Sequence, residues 1–172
     1  MKSSKIFFAV VLSNIVAVAA FGSFTQIIYT SQDIGANRWQ YTYTVNNTGL
    51  TESIKEFTIY FDYGLYDNLV VETTEPLSVN WDEIVLQPEP VLADGGIYDA
   101  LALNTGINQG QSASGFSISF DWLGTDEPCS QFYEIIDPVS FNTIDSGFTV
   151  PEPATMCLLA TGFLILLKNK CS

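Results

Sequence analysis

From Trp39 to Val45 the chain reads WQYTYTV, with a large apolar side chain at every second position and Gln40, Thr42 and Thr44 between them. A period of two marks a strand with one face buried. Phe57, Ile59 and Phe61 repeat the pattern in KEFTIYFD. Phe116, Ile118, Phe120 and Trp122 repeat it again in SGFSISFDW, with Ser117, Ser119 and Asp121 on the opposite face. Further short strands are predicted near residues 24–30, 68–73, 83–87, 98–103, 114–123 and 131–136, with one more between 141 and 149, each bounded by glycine, proline, asparagine or aspartate. Asn46-Asn47-Thr48-Gly49 supplies a turn that tolerates positive φ, so the strands at 39–45 and 57–61 are predicted to form a hairpin-like pair. About seven to nine short strands, too closely spaced for crossover helices, predict an all-β fold: an antiparallel β-sandwich.

The pattern changes at both ends. MKSSKIFFAVVLSNIVAVAAFGS places Lys2 and Lys5 before an apolar stretch from Ile6 to Ala20 and closes on small residues. This is the layout of a secretory signal peptide, with a cut before Phe21 or before Ser23, and the stretch is short for a membrane span. At the other end Ala154 to Leu167 form an apolar run uninterrupted by charge, with Thr155 and Thr161 its only hydroxyls, followed by Lys168 and Lys170. As a helix this run would cover roughly 21 Å against a hydrocarbon core of roughly 30 Å, so it spans only with help from snorkelling lysines. Lysines after the run prefer the cytoplasmic face, which puts the middle of the chain outside. The expected organisation is a signal peptide at 1–22, an acidic ectodomain at 23–149 and a tail at 150–172.

Charge sharpens this division. Between residues 22 and 150 the chain has only Arg38 and Lys55 against eighteen acids, a balance of −16 within a whole-chain charge of −13. Such a surface repels phosphate backbones and excludes nucleic acid as a partner. Acidity alone also admits calcium binding, although no loop has the spacing of an EF-hand.

The tail opens on Val150-Pro151-Glu152-Pro153, then the apolar run, then the terminal lysines. In this order and at this distance from the end it resembles the PEP-CTERM sorting signal of exported bacterial proteins. The resemblance implies an exosortase, an integral-membrane cysteine-dependent protease-transpeptidase, as the partner that recognises Pro151, Glu152 and Pro153. It also implies a basic anchor, here Lys168 and Lys170 in place of the arginine-rich cluster usual in the family. Two prolines hold the segment extended and keep it out of the helix behind it. A second Pro-Glu-Pro at 88–90 has no apolar run behind it and is expected in a loop. YTYTVNNTG, IKEFTIYFD, WDEIVLQPEP, GIYDALA, SGFSISFDWLG and SQFYEIIDP, over about residues 38–150, resemble ectodomains found with such tails. That resemblance implies an immunoglobulin-like sandwich, flanked here by an N-terminal signal helix and a C-terminal hydrophobic helix.

Candidate chemistry is sparse. The chain contains no histidine, which removes Ser-His-Asp and Cys-His catalysis, histidine-ligated zinc and a histidine pH switch. Cys157 and Cys171 belong to the tail, so Cys129 has no partner for a disulfide within the ectodomain. A glycosidase-type carboxylate pair would have to come from Asp62, Asp82, Glu83, Asp99 and Asp121. Trp39 and Trp122 fall on apolar faces and are expected in the core, whereas Trp81 in VNWDEI is the candidate exposed ligand contact, able to stack on a sugar ring. No catalytic residue, metal ligand or cofactor is assigned.

The expected protein is a non-enzymatic cell-envelope or extracellular-matrix component, associated with exopolysaccharide or biofilm matrix. It would be exported by the Sec machinery, cut by signal peptidase, held in the membrane by the C-terminal helix and then processed by an exosortase. The alternative is a carbohydrate- or calcium-binding adhesion module at the cell surface, and a carboxylate hydrolase is the third reading.

Overall fold

The computed structural model describes residues 24–152. The expected signal helix and hydrophobic helix, with Pro153, Lys168 and Lys170, lie outside the described residues. No helix among the described residues is long and apolar enough to cross a membrane.

Among the described residues ten strands follow in order: β1 (Thr25–Gly35), β2 (Arg38–Asn47), β3 (Glu56–Phe61), β4 (Tyr66–Val71), β5 (Trp81–Leu86), β6 (Gly96–Ala102), β7 (Ser112–Trp122), β8 (Phe132–Ile136), β9 (Thr143–Phe148) and β10 (Val150–Pro151). Nine of them fall on the predicted stretches. The first sheet has the order β10-β1-β2-β7-β4 and the second β5-β6-β3-β8-β9. Every ladder is antiparallel except that between β10 and β1, which is parallel.

The alternating residues predicted to face inward do so. Tyr41, Tyr43 and Val45 from β2, Phe57 and Ile59 from β3, and Phe116, Ile118 and Phe120 from β7 are fully buried. They meet in the core as edge-to-face rings, Phe57 on Phe116 across the two sheets at 4.9 Å and Tyr41 on Phe120 within the first sheet at 5.1 Å between centroids. Apolar area of this extent, removed from water at about 25 cal/mol per Å², is what holds two sheets together.

The predicted hairpin is not formed. β2 pairs with β1 and β7, while β3 pairs with β6 and β8 in the other sheet. Period-two alternation tells which face is buried, and two strands with complementary apolar faces can lie face to face across a core as readily as edge to edge. The Asn-Asn-Thr-Gly segment is the start of the crossing. Asn47, almost fully buried, accepts from the Leu50 amide through Oδ1 and donates through Nδ2 to the carbonyls of Glu52 and Ile107. The true hairpin joins β1 to β2 through Gly35, Ala36 and Asn37, at φ of 93°, 55° and 62°.

Apart from the parallel pair β10 and β1, strand directions alternate within each sheet, so connections collect at two ends. One end carries residues 48–55, 72–80, 103–111 and 137–142. The other carries the β1–β2 turn, residues 62–65, 87–95 and 123–131, and the point where the chain runs out at Glu152. The second Pro-Glu-Pro lies in the 87–95 connection, as expected, with Glu89 and Asp94 bridged across it.

Candidate functional site

The last two strands are one run of chain that changes sheets. β9 forms the edge of the second sheet beside β8, and one residue later β10 forms the edge of the first sheet beside β1. The residue between them is Thr149, fully buried. Its amide donates to the Gln131 carbonyl at 2.8 Å, and its hydroxyl receives the Gln131 amide at 2.9 Å. The same hydroxyl donates to Gln131 Oε1 at 3.2 Å. Gln131, 3% exposed, also receives the Tyr43 hydroxyl at Oε1 and gives Nε2 to the Tyr66 hydroxyl at 3.0 Å. A buried amide with every polar atom engaged fixes the switch point to the aromatic core.

From this pin Val150 lies opposite Ile28 and Pro151 opposite Tyr29, and the Glu152 amide donates to the Tyr29 carbonyl at 2.9 Å. Alternation puts the backbone groups of Val150 and Glu152 toward β1 and those of Pro151 toward solvent. A proline there loses no ladder bond, because its missing N–H would have pointed away from the sheet. It also leaves the outer rim of β10 without a donor, which blunts the edge against a further strand. At about 0.5–1.5 kcal/mol net per backbone hydrogen bond, a two-residue ladder is worth a few kcal/mol, below the ~5–15 kcal/mol of a whole domain. This segment can therefore open without unfolding the rest.

Residues 149–168 match the PEP-CTERM protein-sorting motif. The chain carries a PEP-CTERM sorting signal. The motif implies export, transient membrane anchoring and exosortase-dependent sorting, with exosortase as the processing partner. Its first residues, Thr149 to Glu152, are thus built into the sandwich, and the expected extended form of the Pro-Glu segment is realised as β10. Sequence reading identified the motif but not Thr149 and Gln131, which fasten it. Gln131, just before β8, carries no sequence signal of its burial, since glutamine is mostly a surface residue.

A protein from Nocardia farcinica with an immunoglobulin-like fold superposes with a TM-score of 0.50 and 17% identity, covering 69% of this chain and 82% of that one. That likeness shows the fold: an immunoglobulin-like sandwich in front of the PEP-CTERM signal. A family 3b carbohydrate-binding module from Clostridium clariflavum (TM-score 0.43, 12% identity, 72% of this chain and 96% of that one) overlaps more loosely. So does a chitin-binding domain from Streptomyces coelicolor (TM-score 0.39, 20% identity, 62% and 89%). Among curated proteins none matches the chain significantly.

The remaining sequence candidates are placed as follows. Trp81 is not an exposed contact: it is 6% exposed and packs against Phe57 at 5.8 Å and Phe116 at 5.0 Å. It opens β5 on the inward face, a register that the irregular residues before it concealed. Trp39 and Trp122 are half-buried against the core. Of the five candidate acids Asp82 and Asp99 come near each other, diagonally across β5 and β6, and the other three stand apart from them. Asp121, held by Arg38 at 2.8 Å and by the Asn68 amide, sits on the outer side of the first sheet, and these bonds keep its carboxyl below the ordinary value. Asp82 and Asp99 lie on the outer side of the second sheet, where burial pushes the Asp99 carboxyl up against the opposing effect of the Thr58 hydroxyl. Glu83 turns inward and accepts from Tyr98 and from Thr73 at 2.6 Å. Asp62 lines a hollow with Tyr60, Leu86, Glu89 and Asp94 that none of the other four enters. Among the described residues no group of three His, Cys, Asp or Glu is placed to hold a metal ion.

One apolar feature remains on the outer side of the second sheet. The register sets Leu86, Ile97, Tyr60, Phe132 and Phe148 in a single row across all five strands. Phe148 is 66% exposed and Leu86 55%. Neighbouring rings touch at 5.7 Å (Tyr60 and Phe132) and 5.6 Å (Phe132 and Phe148).

Proposed function

We propose that this chain is a non-enzymatic exported component of a bacterial cell envelope or extracellular matrix. Its sandwich would be delivered outside by the Sec machinery, freed from its signal peptide, held by the tail and released or attached after cutting near Pro151 to Pro153. The observation that carries the reading is the sorting motif placed at the exit of a folded, acidic, immunoglobulin-like domain. Association with exopolysaccharide is the proposed destination, since an acidic surface with few cations resists self-association and stays soluble outside the cell.

Intact mass of the protein from envelope and medium, in cells with and without the exosortase, tests the proposal. The expected result is loss of both ends, with the C-terminal cut dependent on that enzyme. A tail retained in both strains would reduce the motif to a membrane anchor and remove the matrix assignment.

The aromatic row favours a second reading, a carbohydrate-binding adhesion module. Exposed rings offer apolar faces to the C–H faces of sugars, and the row replaces the buried Trp81 as the place to look. A glycan array with wild type and F132A/F148A separates the readings: binding lost in the variant supports the module, and silence in both leaves the structural role.

A further inference from the structure

Two facts about the motif pull against each other. To be cut, a peptide must lie extended in the enzyme with its backbone amides and carbonyls free for pairing, the geometry of strand addition. Here Val150 and Pro151 already form a strand, and the Glu152 amide is already given to the Tyr29 carbonyl. The rim left open to an incoming enzyme is the one that Pro151 leaves without a donor. An enzyme approaching the folded domain therefore meets the poorer edge of the strand, and the richer edge faces β1.

We propose that β10 is a latch: the folded domain holds its own sorting motif on the edge of β1, and the processing enzyme acts on the state in which Val150 to Glu152 have peeled away. The proposal rests on the sorting reading above. Thr149 and Gln131 are the hinge pin, because their reciprocal bonds stay inside the core while the three residues beyond them swing out. The open state is a local one, of the kind populated at about 0.1–10%, and the rate of cutting scales with that fraction. The sandwich thereby sets the pace at which its own tail is removed.

A covalent staple tests this. Ile28 and Val150 are Cα partners on neighbouring strands, and both side chains alternate with buried neighbours, Ile27 and Tyr29 on one strand and Thr149 on the other. Parallel neighbours lie about 4.8 Å apart, inside the range a disulfide bridges. The full chain is expressed with its exosortase as I28C/V150C in a background with Cys129, Cys157 and Cys171 changed to serine, beside the two single-cysteine variants. Intact mass reports both the cross-link and the cut. The single variants set the rate for the segment without a cross-link, and the cross-linked chain is expected to keep its tail, with the cut fraction lower than theirs by about tenfold or more. Cutting of the cross-linked chain at the rate of the single variants overturns the latch and leaves sorting intact. Failure of the cross-link to form also overturns it, since the two strands are then not neighbours. A parent chain that the enzyme never cuts overturns the sorting reading and the latch together. Hydrogen exchange on the full chain in detergent gives a second reading: the Glu152 amide is expected to be protected, and exchange at the rate of an unstructured peptide would sink the proposal.

Discussion

Replacing Trp81 by alanine decides between a buried and a binding tryptophan. The indole is 6% exposed and sits edge-on to Phe116 at 90°, with Phe57 tilted against it, so nothing nearby can collapse into the space without moving other rings. Truncating a large buried aromatic costs about 3–5 kcal/mol, of which each ring contact accounts for about 0.5–1.5 kcal/mol. For a domain of this size one kcal/mol moves Tm by about 4 °C, so W81A is expected to melt about 12–20 °C below wild type. F148A, at a ring 66% exposed with one ring contact, to Phe132, is the control and is expected to cost no more than about 1.5 kcal/mol. Thermal unfolding followed by circular dichroism, with the variants scanned side by side, reads both. A W81A shift below about 3 °C would refute the packing argument and return Trp81 to the surface as a ligand contact.

Gln131→Leu leaves the Tyr43 and Tyr66 hydroxyls buried without their partner, and a loss of about 2–4 kcal/mol with an unchanged denaturant m-value is expected in urea titrations. Asp99→Asn tests a sign. Burial raises the Asp99 carboxyl above 3.8, opposed by the Thr58 hydroxyl and helped by Asp82, so the folded state holds its proton more tightly than the unfolded one. The stability this group contributes is full below 3.8 and is lost as pH rises through the folded value. The variant is therefore expected to melt higher than wild type at pH 7 and to converge with it on acidification, and a difference constant with pH would contradict the assignment. Pro151→Ala is expected to leave stability within about 0.5 kcal/mol of wild type, since its backbone faces away from β1, while abolishing the exosortase-dependent cut.

The strands were legible because this core is built from strict alternation. Tyr41, Tyr43 and Val45 are buried and Gln40, Thr42 and Thr44 less so, and a period of two states as much. Pairing was less accessible. Whether the partner of β2 is β3 or β7 depends on loop direction, and the Asn47 side chain, bonded to a carbonyl sixty residues away, turns the chain across the core. Trp81 was misplaced because its strand begins with it, leaving no alternation upstream to set the face. The sorting motif was the clearest signal in the chain, being a message of residue types in order. Its incorporation into the sheet was hidden, since prolines read as strand breakers until the edge position and the outward backbone of Pro151 are known.

That incorporation ties the motif to folding. Pairing Val150 with Ile28 closes a loop over almost the whole domain, at an entropic cost of about 4 kcal/mol before any constant, comparable with all that a two-residue ladder returns. Alone, the strand would not dock. It docks because β9 is already in place on β8 and Thr149 is already bonded to Gln131, so the only residues left to order are the three beyond the pin. In an unfolded or half-folded chain the Pro-Glu segment is free; in the native chain it is held. A destabilised domain thus offers its tail more readily than a sound one, and the order of events outside the membrane, folding against cutting, is set by the few bonds between one buried threonine, one buried glutamine and the edge of β1.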